Sequence, residues 1–189
     1  MKRLATIAIA FLIVVFAAQY ASAAGTQNIT INISITAAAS LTIDVVIPWD
    51  LTNKAFSTPY VSGAYLLGND SGVNETFKVW GANSTGTHPW LMAAAPAVNT
   101  FEVQGLIGAA AAAAPAAGDF AGDDILNNAT YVLATATALG NGGWSATSGA
   151  DVAPAASRRL YLLFSTATGG YSSAVSIGTV VLTVSADVL

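Results

Sequence analysis

The stretch Asn28 to Thr36 reads Asn-Ile-Thr-Ile-Asn-Ile-Ser-Ile-Thr, so Ile29, Ile31, Ile33 and Ile35 alternate strictly with amide and hydroxyl side chains. A period of two is that of a β-strand whose two faces meet different surroundings. Full burial of four isoleucines is worth about 1.5–3 kcal/mol each, roughly 6–12 kcal/mol together. Ordering some ten residues costs about 1–2 kcal/mol apiece in backbone entropy. These terms nearly cancel, so ladder hydrogen bonds decide the outcome and the strand must lie in a sheet. Left flat and unpaired in water, it would be a template for association.

The rest of the chain reads as β too. Leu41, Ile43 and Val45 begin a second alternating run that ends at Pro48, after the small residues Ala37 to Ala39. Ala64 to Leu67 is a short strand closed by the turn cluster Gly68-Asn69-Asp70-Ser71-Gly72. Further strands are expected at Thr76 to Trp80, Trp90 to Met92, Phe101 to Ile107, Tyr131 to Ala134, Leu160 to Phe164 and Val175 to Val184. About nine short strands separated by Gly, Asn and Pro predict an all-β sandwich. The alanine tract Ala109 to Ala114 favours helix but is too short to nucleate one alone, and Pro115 and Gly118 stop it. Gly108 to Asp124 is therefore expected to be loop with at most one helical turn.

What precedes the isoleucine strand sets the compartment. Lys2 and Arg3 form a positive start, Leu4 to Ala18 run without a charge, and Ala21-Ser22-Ala23 is a small-x-small cleavage pattern. An apolar run of about 15 residues is shorter than the roughly 20 that span a bilayer. Residues 1–23 are read as a cleaved secretion signal, 24–37 as an N-terminal strand and 38–189 as the sandwich. The expected location is extracellular, at the cell surface, with no membrane attachment after cleavage. Past the signal, four cations face ten acids, a net charge of −6. That balance argues against nucleic acid, whose affinity comes from Lys and Arg on phosphates. There is no cysteine, so burial and hydrogen bonds must do what disulfides often do in small secreted domains.

No catalytic constellation emerges, and the chain is expected not to be an enzyme and to need no cofactor. His88 is the one histidine, there is no thiolate for zinc, and no G-x-S-x-G elbow marks a nucleophile. Asp119, Asp123 and Asp124 are the weak candidates for a metal, but their spacing is not that of a calcium loop. Asn28, Asn32, Asn69, Asn74, Asn83 and Asn128 all begin N-x-[ST], six of ten asparagines, and are glycosylation candidates. Asn69, Asn74 and Asn83 are the better ones, being near turns. Of four tryptophans, Trp80 and Trp90 lie on strands and are expected in the core, whereas Trp144, flanked by glycines, is the candidate sugar-binding platform of a monomeric secreted protein.

Two arrangements of the isoleucine strand are open. It pairs within its own sandwich, or it leaves its subunit and completes the sheet of the next, with residues 37–40 as hinge. The second contact is head-to-tail and does not close, so it propagates a filament of identical subunits. Ile29, Ile31, Ile33 and Ile35 would then meet a groove walled by Val180, Leu182 and Val184. The alternating start, the segment Gly68 to Phe77 and the segment Val152 to Phe164 resemble secreted prokaryotic immunoglobulin-like sandwich proteins. In those, an N-x-G turn leads into an E-x-[FY] strand and a V-x-P-G-x-x-R-x-L strand follows near the end; here Ala155 stands at the glycine. The plan also resembles filament subunits joined by donor strands, such as TasA-like matrix fibres and archaeal threads. That resemblance implies an immunoglobulin-like or jelly-roll sandwich with an N-terminal extension strand, and a habit of assembly rather than an activity.

Overall fold

The computed structural model describes residues 30–37, 41–44, 49–51, 55–86, 89–140, 144, 149–169 and 176–188. Residues 1–23, where a secretion signal is expected, together with Asn28, Ile29, the connection 38–40 and His88, lie outside the described residues. The regular structure of the described residues is almost wholly strand: β1 Thr30–Ala37, β2 Leu41–Asp44, β3 Trp49–Asp50, β4 Pro59–Val61, β5 Tyr65–Asn69, β6 Glu75–Gly81, β7 Leu91–Met92, β8 Thr100–Ala109, β9 Val132–Leu133, β10 Ser157–Ser165 and β11 Ser176–Val188. All nine expected strands have a counterpart. The two that the sequence reading missed, β3 and β4, are two and three residues long and hold too little sequence to show a period.

The strands form two sheets. One runs β3-β1-β11-β6-β9, and the other β2-β5-β10-β8-β7 with β4 also on β10. Their facing sides share one core: Phe77, Val79, Val180, Leu182 and Val184 come from the first sheet, and Leu67, Phe101, Val103, Ile107, Leu160, Leu162 and Phe164 from the second. The chain is thus an all-β, sandwich-like fold. Alternation explains the sorting, because successive residues of a strand point to opposite faces. In β10, Leu160, Leu162 and Phe164 enter the core, while Tyr161 and Leu163 join Leu106 and Phe120 in a second, smaller cluster on the other side of that sheet.

That smaller cluster is roofed by the alanine-rich segment. β8 runs on to Ala109, and the segment then holds two short 3-10 turns, Ala117–Asp119 and Gly122–Asp124, rather than one helical turn. Ala112 anchors it: its carbonyl accepts from the Tyr161 hydroxyl at 3.0 Å and from Arg159 Nη1 at 2.7 Å.

Candidate assembly interface

Strand β1 lies beside β11 in the same chain. The pairing is parallel and runs from Thr30 opposite Ser176 to Ala37 opposite Val184, with Ile33 opposite Val180 and Ile35 opposite Leu182. The isoleucine strand and the proposed groove wall are therefore brought together. Val180, Leu182 and Val184 are fully buried, as three alternate residues on the core face of a strand must be. Along the other edge of β1 the pairing among the described residues is short: Asp50 and Trp49 of β3 lie opposite Asn32 and Ile33. β1 continues through residues 38–40 into β2, which pairs with β5 in the opposite sheet.

The far edge of β11 is held firmly. β6 pairs with it from Leu182 to Val188, antiparallel. The segment after β6 extends this contact, with the Ala82 N–H donating to Val181 O at 3.0 Å and Thr85 and Thr179 exchanging N–H···O bonds at 2.9 and 3.1 Å. At that point Gly178 adopts φ +88, and the Thr85 carbonyl occupies the place a Cβ would need. Only glycine fits there. The ladder to β1 shifts by one residue at the same place, since Thr30 pairs with Ser176 and Ile31 with Gly178, leaving Ile177 as the extra residue of a bulge.

The glycosylation candidates separate sharply. Asn69 is fully buried. Its amide nitrogen donates to Val73 O and Val152 O, both at 2.8 Å, and its Oδ1 accepts from the Ser71 N–H and hydroxyl at 2.9 and 2.7 Å. The sequence places Asn69 among the better acceptors; in the fold every polar atom of its side chain is committed to the turn it organises. Asn83 is half-buried, and its Oδ1 accepts from the Met92 N–H at 2.9 Å. Asn74 is exposed and donates to Asp151 Oδ1 at 2.8 Å, and Asn128 is exposed. Asn32 sits in β1 opposite Thr179.

Trp144 is half-buried rather than held out on its loop. Its ring meets Tyr161 edge-on with centroids 5.7 Å apart, and it lies over Gly108, where a Cβ would overlap it. The indole, the surface candidate of the sequence, packs against the smaller cluster while staying partly exposed. Trp90 is buried, stacked on Phe56 at 5.9 Å, as expected of a core residue. Trp80 is half-buried on the outer face of β6. Lys78 shares that face, pairs with Asp187 and lies 4.9 Å from the centre of the Tyr131 ring.

The aspartates of the roofing segment work as caps. Asp119 Oδ2 accepts from the Ala116 N–H and Asp124 Oδ2 from the Ala121 N–H, both at 2.8 Å. Among the described residues no three His, Cys, Asp or Glu side chains gather as a metal site would require. Asp124 is buried, and burial pushes its carboxyl up to about 6, opposed by N–H bonds from Ala121 and Leu139 and reinforced by nearby Asp123.

Compared with protein families, characterised proteins and solved structures, the chain matches none.

Proposed function

We propose that this chain is a secreted structural subunit of an extracellular filament or surface layer, and that β1 links subunits by leaving its own β11 and pairing with the β11 of the next. The fold would be of the immunoglobulin-like or jelly-roll kind with an N-terminal extension strand. One observation carries the reading: among the described residues β1 has a long ladder on one edge and a two-residue pairing on the other. Its eight residues pair with β11, two pair with β3, and a three-residue connection leads to the other sheet. Withdrawing β1 would break one ladder and leave Val180, Leu182 and Val184 without a neighbour along one flank. A copy of the same strand restores what was lost, which is why exchange between identical chains costs little at equilibrium.

Surface chemistry suits the role. Charge is sparse, and the outer face of β11 presents Thr179, Thr183 and Ser185, half-buried, beside the half-buried Val181. Exposed Asn74 and Asn128 are the acceptors best placed for glycans, which would decorate a fibre without touching the β1 groove. Secretion through residues 1–23 would place assembly outside the cell.

Electron microscopy of purified native material tests the proposal. Fibres are expected, and deleting residues 26–36 is expected to abolish them while leaving a chain that binds a synthetic peptide of that sequence. Monomers only, from a chain that unfolds when residues 26–36 are removed, would end the strand-exchange reading.

A further inference from the structure

The repeat that makes β1 a strand also makes it ambiguous in register. A one-residue slip turns every side chain to the wrong face, but a two-residue slip preserves the pattern. In this structure Ile31 lies opposite Gly178, Ile33 opposite Val180, Ile35 opposite Leu182 and Ala37 opposite Val184. An isoleucine is thus matched to a residue without a side chain, and the alanine at the other end to a buried valine. Advancing β1 by two residues would set Ile31, Ile33 and Ile35 opposite Val180, Leu182 and Val184, and Ala37 opposite Ala186. β11 is long enough for this: it continues to Val188, four residues beyond Val184, the last that pairs with β1 among the described residues.

The connection to β2 explains why the chain does not already sit there. Ala37 is in one sheet and Leu41 in the other. Four Cα steps reach at most about 14 Å, and the usual spacing between packed sheets takes about 10 Å of it. Two residues of advance move Ala37 about 6.6 Å along the sheet, bringing the connection close to full stretch. When β1 sits in another subunit's groove, residues 38–40 no longer bridge the two sheets of the same sandwich.

We propose that strand exchange is accompanied by a two-residue advance of β1 along β11, and that the better match in the advanced register drives assembly. This rests on the exchange reading above. The pairing within one chain is then a holding register, kept by a short connection, and the pairing between chains is the complete one.

The chain has no cysteine, so cross-linking reads the register cleanly. Directly opposed residues on neighbouring strands lie within disulfide range. Two double variants are needed: Ser34→Cys with Val181→Cys for the holding register, and Ser34→Cys with Thr183→Cys for the advanced one. On non-reducing gels the first is expected to close at monomer mass in unassembled protein, and the second to give a ladder in assembled material, at least about tenfold above any ladder from the first. A ladder formed through 34 and 181 instead overturns the advance and keeps the exchange. No ladder from either pair in assembled material overturns the exchange itself. Inserting Gly-Ser after Ala39 tests the connection in monomers. The monomer-mass cross-link is expected to move from 34/181 to 34/183, and its persistence at 34/181 would show that the connection does not hold the register.

Discussion

β10 and β1 are both long ladders, yet they are built into the molecule in opposite ways. β10 pairs with β8 from Arg158 to Ser165, and its other edge is filled by β5 from Ser157 to Leu160 and by β4 from Leu163 to Ser165. Both faces are also used, one by the main core and one by the cluster under the alanine-rich roof. Among the described residues β1 has one complete edge, and that pairing is parallel, the geometry slightly weaker per residue. A strand enclosed on two edges and two faces cannot move without dissolving the sandwich. One joined along a single edge can be released by a local opening, of the kind that native-state hydrogen exchange resolves from global unfolding.

The largest expected effect breaks the enclosed side. Phe164 is fully buried and stacks on Phe101 with centroids 5.3 Å apart. Phe164→Ala should cost about 3–5 kcal/mol, a large share of the roughly 5–15 kcal/mol available to a domain, read as a lower urea midpoint. In the parent chain the amides of β8 and β10 should exchange only at the global rate, and those of β1 well before. Equal protection of β1 and β10 would erase the distinction on which the assembly reading depends.

Much of this contrast was legible in the sequence, and it is clear why the remainder was not. Alternation located β1, and the run Leu160 to Phe164 located β10, because each pattern is local. That first and last strands are parallel partners is a long-range fact, which no period within either strand encodes. Register was hidden for a related reason, since a two-residue repeat fits itself at every second step. At two candidate sites the surroundings of the side chain were not legible from residue type. Asn69 carries the same three-residue pattern as exposed Asn74, but its amide is turned into the Gly68–Gly72 turn. Trp144 has glycine neighbours that suggest a surface position, and what it packs on, Tyr161 on β10 and the bare backbone of Gly108 on β8, lies far away in sequence. The glycine at 108 was a usable signal, because a glycine inside a strand often marks the close approach of something else.

A smaller effect separates the roof over β8 from the β1 edge by pH. The Asp124 carboxyl is held at about 6, against an ordinary 3.8. Between about pH 4 and 6 the folded chain therefore binds more protons at this site than the unfolded chain. Its contribution to stability is fully present below the unfolded value and is lost as pH rises through about 6. Asp124→Asn keeps a side-chain oxygen for the Ala121 N–H and should flatten that part of the stability–pH curve, measured by urea denaturation at a series of pH values. Exchange of β1 should not follow this titration, because Asp124 belongs to the turn beside β8.

The smallest effect should strengthen the region around β10 and leave β1 alone. Ala155 has φ +59, follows Pro154, and sits inside a turn closed by the Ala156 N–H bonded to Ala153 O at 3.1 Å. Proline followed by a residue of positive φ is the arrangement of a type II turn, whose third position asks for glycine. The turn leads directly into β10, and the Ala155 N–H is spent on Asn69 O at 2.8 Å, so the strained residue cannot relax without loosening the buried asparagine. A side chain in the left-handed region costs about 1–2 kcal/mol, and glycine's extra freedom in the unfolded chain returns about 0.4–1 kcal/mol of that. Ala155→Gly should therefore raise stability by about 0.5–1 kcal/mol, a shift of a few degrees at most in Tm. Because the gain lies wholly in the turn before β10, cross-linking yield between residues 34 and 181 should stay the same. A rise in stability accompanied by a matching fall in strand exchange would mean that β1 opens together with β10, and that the two regions are one cooperative unit after all.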